Sequence, residues 1–330
     1  MKYPEVRLLI DGEWVGSEKT IDVINPSTEE LVGKIPHASA AQIEMAISAA
    51  QKGFRVWKNT PVAERTRILL KAAELLKSRV EQIATATVME QGKNFQAACF
   101  EVRRAASILE WDANEGMRHY GRIIPMSPDL RCLVRKEPIG VVAGFSPWNA
   151  PVGSPMRKIA ASLAAGCALV LKPAEETPAG AFHIAQALMD AGLPAGVLSL
   201  LYGDPSEISQ KLIESEAVRL VTFTGSVGVG RQLAKMAGAQ LKPCLLELGG
   251  HAPVVVCGDV DPVKVAQLAV KAKANNTGQI CVSPTRYFVQ EEIFEQFAQA
   301  FAEQAARVAI GDGFSKDADI GPLTNAKRVQ

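Results

Sequence analysis

The sequence predicts an α/β protein: a doubly wound parallel sheet, a second α/β section only begun after residue 248, and a β-hairpin inserted at 119–137. Three observations carry this. From Gly140 onward short apolar runs alternate with helical segments in a strand, loop, helix rhythm. A second β/α rhythm starts at APVVVC (252–257). Between a helical N-terminal part and the first rhythm, HYGRIIPMSPDLRCLVRKE sets two β-like runs around Pro125 and Ser127-Pro128-Asp129.

Each element has a local reason. VRLLI, the turn pair Asp11-Gly12 and EWV read as a small β unit. Ser39 and Gln42 form a capping box, and Thr60-Pro61 reads as an N-cap followed by proline in the first helical position. From Pro61 to Gln91 the residues Ile68, Leu69, Ala72, Leu75, Leu76 and Ile83 recur at helical spacing, with Gly92 as the stop. Another helix is expected over 94–116. The edges of the 119–137 hairpin could pair with another chain or with an internal sheet. The parallel strands are VVAGF (141–145), ALVL (168–171), VLSLL (197–201) and RLVTF (219–223), with helical segments starting near Pro155, Pro178 and Pro205. Beyond APVVVC come a helix from about Pro262 to Asn276, a loop holding Cys281, the strand RYFVQ (286–290) and a helix across 291–308.

Size and charge exclude other classes. The 330 residues suggest about two domains, and 48% apolar with 22% charged residues describes a chain that can bury a core. The 36 basic and 35 acidic residues leave +1, no footprint for nucleic acid or an anionic membrane. The longest apolar run, Ile159 to Leu171, contains Ser162 and Gly166 and falls short of the ~20 residues that cross a bilayer. MKYPEVRLLIDGEW lacks the apolar region and cleavage site of a secretory signal. Cys99, Cys132, Cys167, Cys244, Cys257 and Cys281 stand singly, with no C-x-x-C and no histidine at metal-ligand spacing. A cytoplasmic protein without a metal site is expected.

In a doubly wound sheet ligands bind beyond the carboxyl ends of the strands, and polar residues cluster there. After VVAGF, the loop Ser146-Pro147-Trp148-Asn149-Ala150-Pro151 presents an amide but no G-x-G-x-x-G. Alone, Asn149 reads equally as bonding its own turn. Lys172 and Glu175 end the second strand and could hold ribose hydroxyls, or form an exposed ion pair. Thr224 to Gly230, between strand and helix, suits a phosphate cradle. Glu247, on an apolar strand before two glycines, would be costly to bury charged, which could raise its pKa toward that of a general base; alone, it reads equally as salt-bridged or solvated at the strand end. Cys281 lies in a polar, glycine-containing loop where a thiol can react, while the other cysteines mostly read as core.

The ordered set W-N-x-P (148–151), K-P-A-E (172–175), F-T-G-S (223–226), E-L-G-G (247–250) and G-Q-x-C (278–281) resembles the aldehyde dehydrogenase superfamily, over essentially the whole chain. The resemblance implies oxidation of an aldehyde to a carboxylic acid with hydride transfer to NAD(P), through a thiohemiacetal and thioester on Cys281. It makes Asn149 and the Cys281 main-chain N–H the oxyanion hole, Glu247 the base for deacylating water, and Lys158 a neighbour of that relay. It places the cofactor against Phe145, Ser146, Trp148, Lys172, Glu175, Phe223, Gly225, Ser226, Gly230 and Leu248. Glu175 would bond both hydroxyls of an NAD ribose and repel a 2′-phosphate, so NAD is expected to be preferred and NADP used less well. The implied domains are a discontinuous cofactor-binding domain (1–118 and 138–248), an oligomerisation hairpin (119–137) and a catalytic domain from 249 to 330.

Substrate choice is implied at Arg157 and Asn275. Arg157, like its counterpart in relatives acting on carboxylate-bearing semialdehydes, could pair with a substrate carboxylate. Asn275 stands where those relatives often carry a second arginine, and Ala150 replaces a common phenylalanine. A dicarboxylate semialdehyde therefore stands beside an aromatic or broad aliphatic aldehyde. Family members continue past this chain's end, through a Glu-x-Phe motif for the nicotinamide ribose and a tail that joins a neighbouring subunit in a homodimer or homotetramer. The catalytic domain is accordingly expected to be incomplete. A truncated nucleotide-binding copy without turnover is one alternative, and a cofactor-independent cysteine thioester hydrolase is a weaker one.

Overall fold

In the computed structural model, which describes residues 2–329, Asp11 and Gly12 turn at φ 52° and 83° to join β1 (Leu8–Ile10) to β2 (Glu13–Val15). A ribbon that the sequence did not reveal follows, β3 (Thr20–Ile24) antiparallel to β4 (Leu31–Pro36). Helix α1 (Ala40–Trp57) starts on the Ser39–Gln42 capping box with both halves formed.

The long helix expected from Pro61 to Gln91 is two helices, α2 (Val62–Ser78) and α3 (Val80–Gln91). They break at Arg79, whose backbone (φ −109°, ψ 16°) leaves the helical region while its guanidinium pairs with Asp190 at 2.7 Å. Thr60 does not cap α2. Its hydroxyl bonds the Val56 carbonyl at 3.1 Å, so Pro61 takes the cap position without a side-chain bond. Gly92 ends α3 in the left-handed conformation at φ 84°. Helix α4 (Phe95–Gly116) begins on an Asn94 side-chain cap.

The inserted hairpin forms as β5 (Arg122–Ile124) against β6 (Cys132–Val134). It joins no other sheet among the described residues, so the internal-sheet alternative is not realised, and Ile123 stays 74% exposed.

The main sheet contains β7 (Val141–Phe145), β8 (Ala168–Lys172), β9 (Leu198–Leu200), β10 (Val218–Gly225) and β11 (Cys244–Leu248). These five run parallel in the order β11-β10-β7-β8-β9. Their crossovers are α5 (Gly153–Ala164), α6 (Ala179–Ala191), α7 (Pro205–Glu214) and α8 (Val227–Ala239). β1 and β2 extend the sheet antiparallel beyond β9. Strand order reverses between β7 and β10, which puts the switch-point crevice beyond Phe145 and Gly225. β7 and β8 are buried along their whole length.

The second section pairs β12 (Val254–Val256) with β13 (Tyr287–Val289) in parallel, beside α9 (Pro262–Ala274) and α10 (Glu291–Ala306). It has its own small core of Val256, Ala266, Ala269 and Phe297, separate from the main cluster. Among the described residues no helix is long and apolar enough to cross a membrane.

Candidate active site

Helix α9 stops at Ala274, two residues before the expected end, because the chain there turns left-handed. Asn276, Thr277 and Gly278 have φ values of 51°, 57° and 71°. Such a run is strained for Asn and Thr, and it needs outside partners. They are present: Gln91 Nε2 donates to Asn276 Oδ1 (3.4 Å), Thr277 Oγ1 donates to the Gly321 carbonyl (3.1 Å), and the Thr324 N–H donates to Gln279 Oε1 (3.2 Å). This loop delivers Cys281 as a free and exposed thiol. Cys99 and Cys167 are buried, whereas Cys257, expected to be core, is exposed at the end of β12.

Asn149 does not merely close its own turn. Its Nδ2 donates to the carbonyl of Gln279, two residues before Cys281, at 2.7 Å. Asn276 Nδ2 returns the contact by donating to the Asn149 carbonyl at 2.9 Å and to the Gln279 carbonyl at 3.3 Å. The loop after β7 and the cysteine loop are thus laced together across more than a hundred residues of sequence. An amide NH₂ has two hydrogens, so the Gln279 bond fixes the plane of the Asn149 group and leaves its second N–H available.

Of the two readings of Glu247, the structure has the solvated one. β11 lies at the sheet's edge, its residues alternate between half-buried and exposed, and Glu247 is exposed. The buried titratable group nearby is Lys158, on α5, which donates to Thr222 Oγ1 at 3.2 Å. Burial pulls its pKa down to about 8, the Glu247 carboxylate opposes that shift, and the Arg157 guanidinium adds to it. Glu247 and Lys158 are therefore electrostatic neighbours.

At the other end of the crevice Lys172 Nζ meets the Glu175 carboxylate at 2.6 Å, with side chains 8% and 18% exposed. This is a buried pair rather than the exposed one that an isolated K-x-x-E suggests. Glu175 also accepts from the Gly203 N–H at 3.2 Å. Ser146 donates its N–H to the Lys172 carbonyl, and its buried Oγ has no partner. Ser226 caps α8, and Ser226 through Val229 are exposed, with nothing within 4 Å of a Cβ placed on Gly228. The Phe223 ring packs over Gly225, and Leu248 packs over Gly230. Trp148 is half-buried, its carbonyl held by Thr177 Oγ1 at 3.1 Å, and Phe145 is buried. An open helix N-terminus, a carboxylate paired with an ammonium, and an unsatisfied buried hydroxyl suit a dinucleotide.

Arg157 is exposed on α5, close enough to Asp112 of α4 to lower a carboxyl pKa that burial raises. Asn275 lines a cavity of about 980 Å³ together with Lys93, Lys271, Gln304 and Asp319. Among the described residues no three His, Cys, Asp or Glu side chains gather as a metal-holding group. His37, His183 and His251 bond Ala38, Gln186 and Thr285 instead of the thiol. Sequence reasoning missed Gln91, Lys93, Glu101, Asn276 and Thr324, because the signal linking them is spatial and no motif spacing records it.

A switch-point crevice shaped for a dinucleotide, with a thiol held beside an orienting amide, defines an oxidoreductase that works through a covalent cysteine. The chain belongs to the aldehyde dehydrogenase family, which it matches over residues 14–330. It is 45% identical over 325 residues to a 4-(hydroxymethyl)benzenesulfonate dehydrogenase of Comamonas testosteroni, spanning 97% of this chain and 68% of that protein. It is 41% identical over 327 residues to a succinate semialdehyde dehydrogenase of Acinetobacter baylyi, spanning 98% and 68%. The crystal structure of an NADP-dependent enzyme of E. coli superposes with a TM-score of 0.96 at 38% identity, over 98% of this chain and 68% of that one.

Proposed function

We propose that this chain oxidises an aldehyde carrying a distal anionic group to the carboxylic acid, with NAD preferred over NADP. The observation that carries the reading is the 2.7 Å bond from Asn149 Nδ2 to the Gln279 carbonyl, which sets an oriented amide beside the cysteine loop. In this reading residues before 249, apart from the 119–137 hairpin, hold the nucleotide, the hairpin contacts another subunit, and the section from 249 presents the thiol.

Cys281 Sγ, its proton lost to solvent, adds to the aldehyde carbon. The charge developing on oxygen is met by the free N–H of Asn149 and the Cys281 main-chain N–H. Lys172 and Glu175 would hold the ribose of NAD(P), which would supply the acceptor for a hydride leaving that carbon. The acyl group remains on Cys281 as a thioester. Glu247 then takes a proton from water, the oxygen adds to the thioester carbon, and Sγ leaves as the acid is released. Lys158, its pKa lowered to about 8, can take that proton from Glu247 once its own has passed to solvent, and so relay it onward.

The anionic requirement rests on Arg157, whose exposed guanidinium can pair bidentately with a carboxylate or sulfonate. The names of the two relatives support it: a benzenesulfonate and succinate semialdehyde both bear an anion remote from the reacting carbon. The test is NADH or NADPH formation with succinate semialdehyde, a sulfonated benzaldehyde, benzaldehyde and a neutral aliphatic aldehyde. The anionic substrates should lead in kcat/KM by about ten-fold or more. Nucleotide binding without turnover of any aldehyde would instead describe a non-catalytic copy, and thioester hydrolysis indifferent to NAD would describe a hydrolase.

A further inference from the structure

A buried ion pair lies behind the loop that carries Asn149. Lys93, just ahead of α4, and Glu101, within it, meet at 2.5 Å with side chains only 6% and 12% exposed. Desolvation makes a pair this buried a poor source of net stability, so its contacts point to another use. Glu101 Oε1 accepts from the main-chain N–H groups of Val152 (2.9 Å) and Gly153 (2.8 Å), where α5 begins. These are free donors of a helix start, and the carboxylate also suits the positive end of the helix dipole. Lys93 Nζ donates to the main-chain carbonyl of Asn149 at 3.3 Å, which also accepts from Asn276. One ion pair thus grips the segment 149–153 at both ends.

We propose that Lys93 and Glu101 are positioning residues for Asn149, holding its loop so that the side-chain amide points at the oxygen of a tetrahedral adduct on Cys281. Neither side chain touches substrate; both act through the main chain of 149–153. The inference rests on the reading of Cys281 as nucleophile and Asn149 as oxyanion donor. Asn149 Nδ2 is aligned by Gln279 on one side, and its backbone is aligned by Lys93 and Asn276 on the other. Loss of the pair frees the loop to rotate about the Gln279 contact, and small misplacements are costly in a site of this kind.

The experiment compares two reactions of the same thiol, without cofactor. With p-nitrophenyl acetate, Cys281 Sγ adds to the ester carbonyl through an oxyanion and expels p-nitrophenolate, leaving an acetyl thioester that water cleaves to acetate. With iodoacetamide, Sγ displaces iodide and no oxyanion forms; Cys281 alkylation is read by peptide mass spectrometry to separate it from exposed Cys257. Glu101→Ala and Lys93→Met should each slow acylation by about ten-fold or more and leave Cys281 alkylation within about two-fold. Glu101→Gln, which can still accept from both N–H groups, should recover most of the loss. In an Asn149→Ala background Glu101→Ala should slow acylation by less than about two-fold, because the residue through which it acts is gone. In aldehyde turnover the loss should fall on kcat, with KM for NAD unchanged.

Wild-type acylation rates in Glu101→Ala and Lys93→Met overturn the proposal, as does an equal slowing with and without Asn149. Parallel loss of alkylation assigns the pair a structural role only. If Glu101→Ala does not fold, Glu101→Gln and Lys93→Met decide, with thermal melts as the check. No acylation of Cys281 in the unaltered chain removes the nucleophile assignment and this proposal with it; acylation that the variants leave untouched removes the proposal alone.

Discussion

Replacing Glu175 by Gln separates the two nucleotides. The carboxylate is matched by Lys172 at 2.6 Å, so the pair presents no net charge to a ribose 2′ position. Glutamine keeps an acceptor for the Gly203 N–H and leaves the Lys172 charge unopposed. One unit charge about 6 Å from a phosphate, at an effective dielectric constant of about 20, interacts by roughly 3 kcal/mol. Screening at working salt halves such values, leaving about 1.5 kcal/mol, or ten-fold. The NAD ribose in turn exchanges a charged acceptor for a neutral one, at about 1 kcal/mol. The ratio of kcat/KM for NADP over NAD should therefore rise by about ten- to a hundred-fold, more at low salt than at high. Lys172→Met should drive the ratio the other way, whereas damage to folding would not move it in opposite directions in the two variants. The assay is initial rates of NADH and NADPH formation at two ionic strengths. A ratio that stays within about three-fold in Glu175→Gln refutes the assignment of Glu175 to the ribose.

Asn149→Ala should lower kcat by about a hundred- to a thousand-fold, the loss of one oxyanion donor, and should soften the cysteine loop by about 1 kcal/mol through the missing Gln279 bond, read by steady-state kinetics and thermal melts. Arg157→Leu should raise KM for succinate semialdehyde by roughly ten-fold or more while leaving benzaldehyde unchanged; an untouched KM would sink the anionic-substrate reading. Glu90 gives a pH dependence. Fully enclosed, bonded to the Tyr3 hydroxyl and accepting from the Ala179 N–H at 3.0 Å, it has its pKa pushed up to about 8 from 4.5, chiefly by burial. The folded state keeps a proton that the unfolded chain releases, so stability is full below about pH 4.5 and falls as pH climbs toward 8. The slope is at most about 1.4 kcal/mol per pH unit. Glu90→Gln should flatten melting temperature across that window.

The parallel sheet was legible because β7 and β8 are covered on both faces, and such strands must be apolar throughout. Turns with a strict backbone demand were legible too, as at Asp11-Gly12 and Gly92. What failed depended on neighbours far away in sequence. The string LLEL reads as buried, but β11 sits at the sheet's edge and Glu247 looks out. One apolar periodicity spanned α2 and α3, and only the pairing of Arg79 with Asp190 coincides with the break. The small β unit at the N-terminus shows its place at the edge of the main sheet only when Leu9 is seen opposite Leu200.

By itself the sequence singled out groups of reactive type, a thiol at Cys281, an amide at Asn149 and carboxylates at Glu247 and Glu175, with the strand ends that present them, and the resemblance of its ordered motifs gave them roles. Residue type and local spacing are properties that a chain carries before it folds. Only the tertiary structure decided which groups meet: the Asn149 amide against Gln279, Lys158 buried beside an exposed Glu247, Asn275 in a cavity with Lys93, and Lys93 with Glu101 behind the loop that carries Asn149. Exposure, hydrogen-bond partners and field are properties of what surrounds a side chain, and at this site key partners come from segments 56 to 233 residues away.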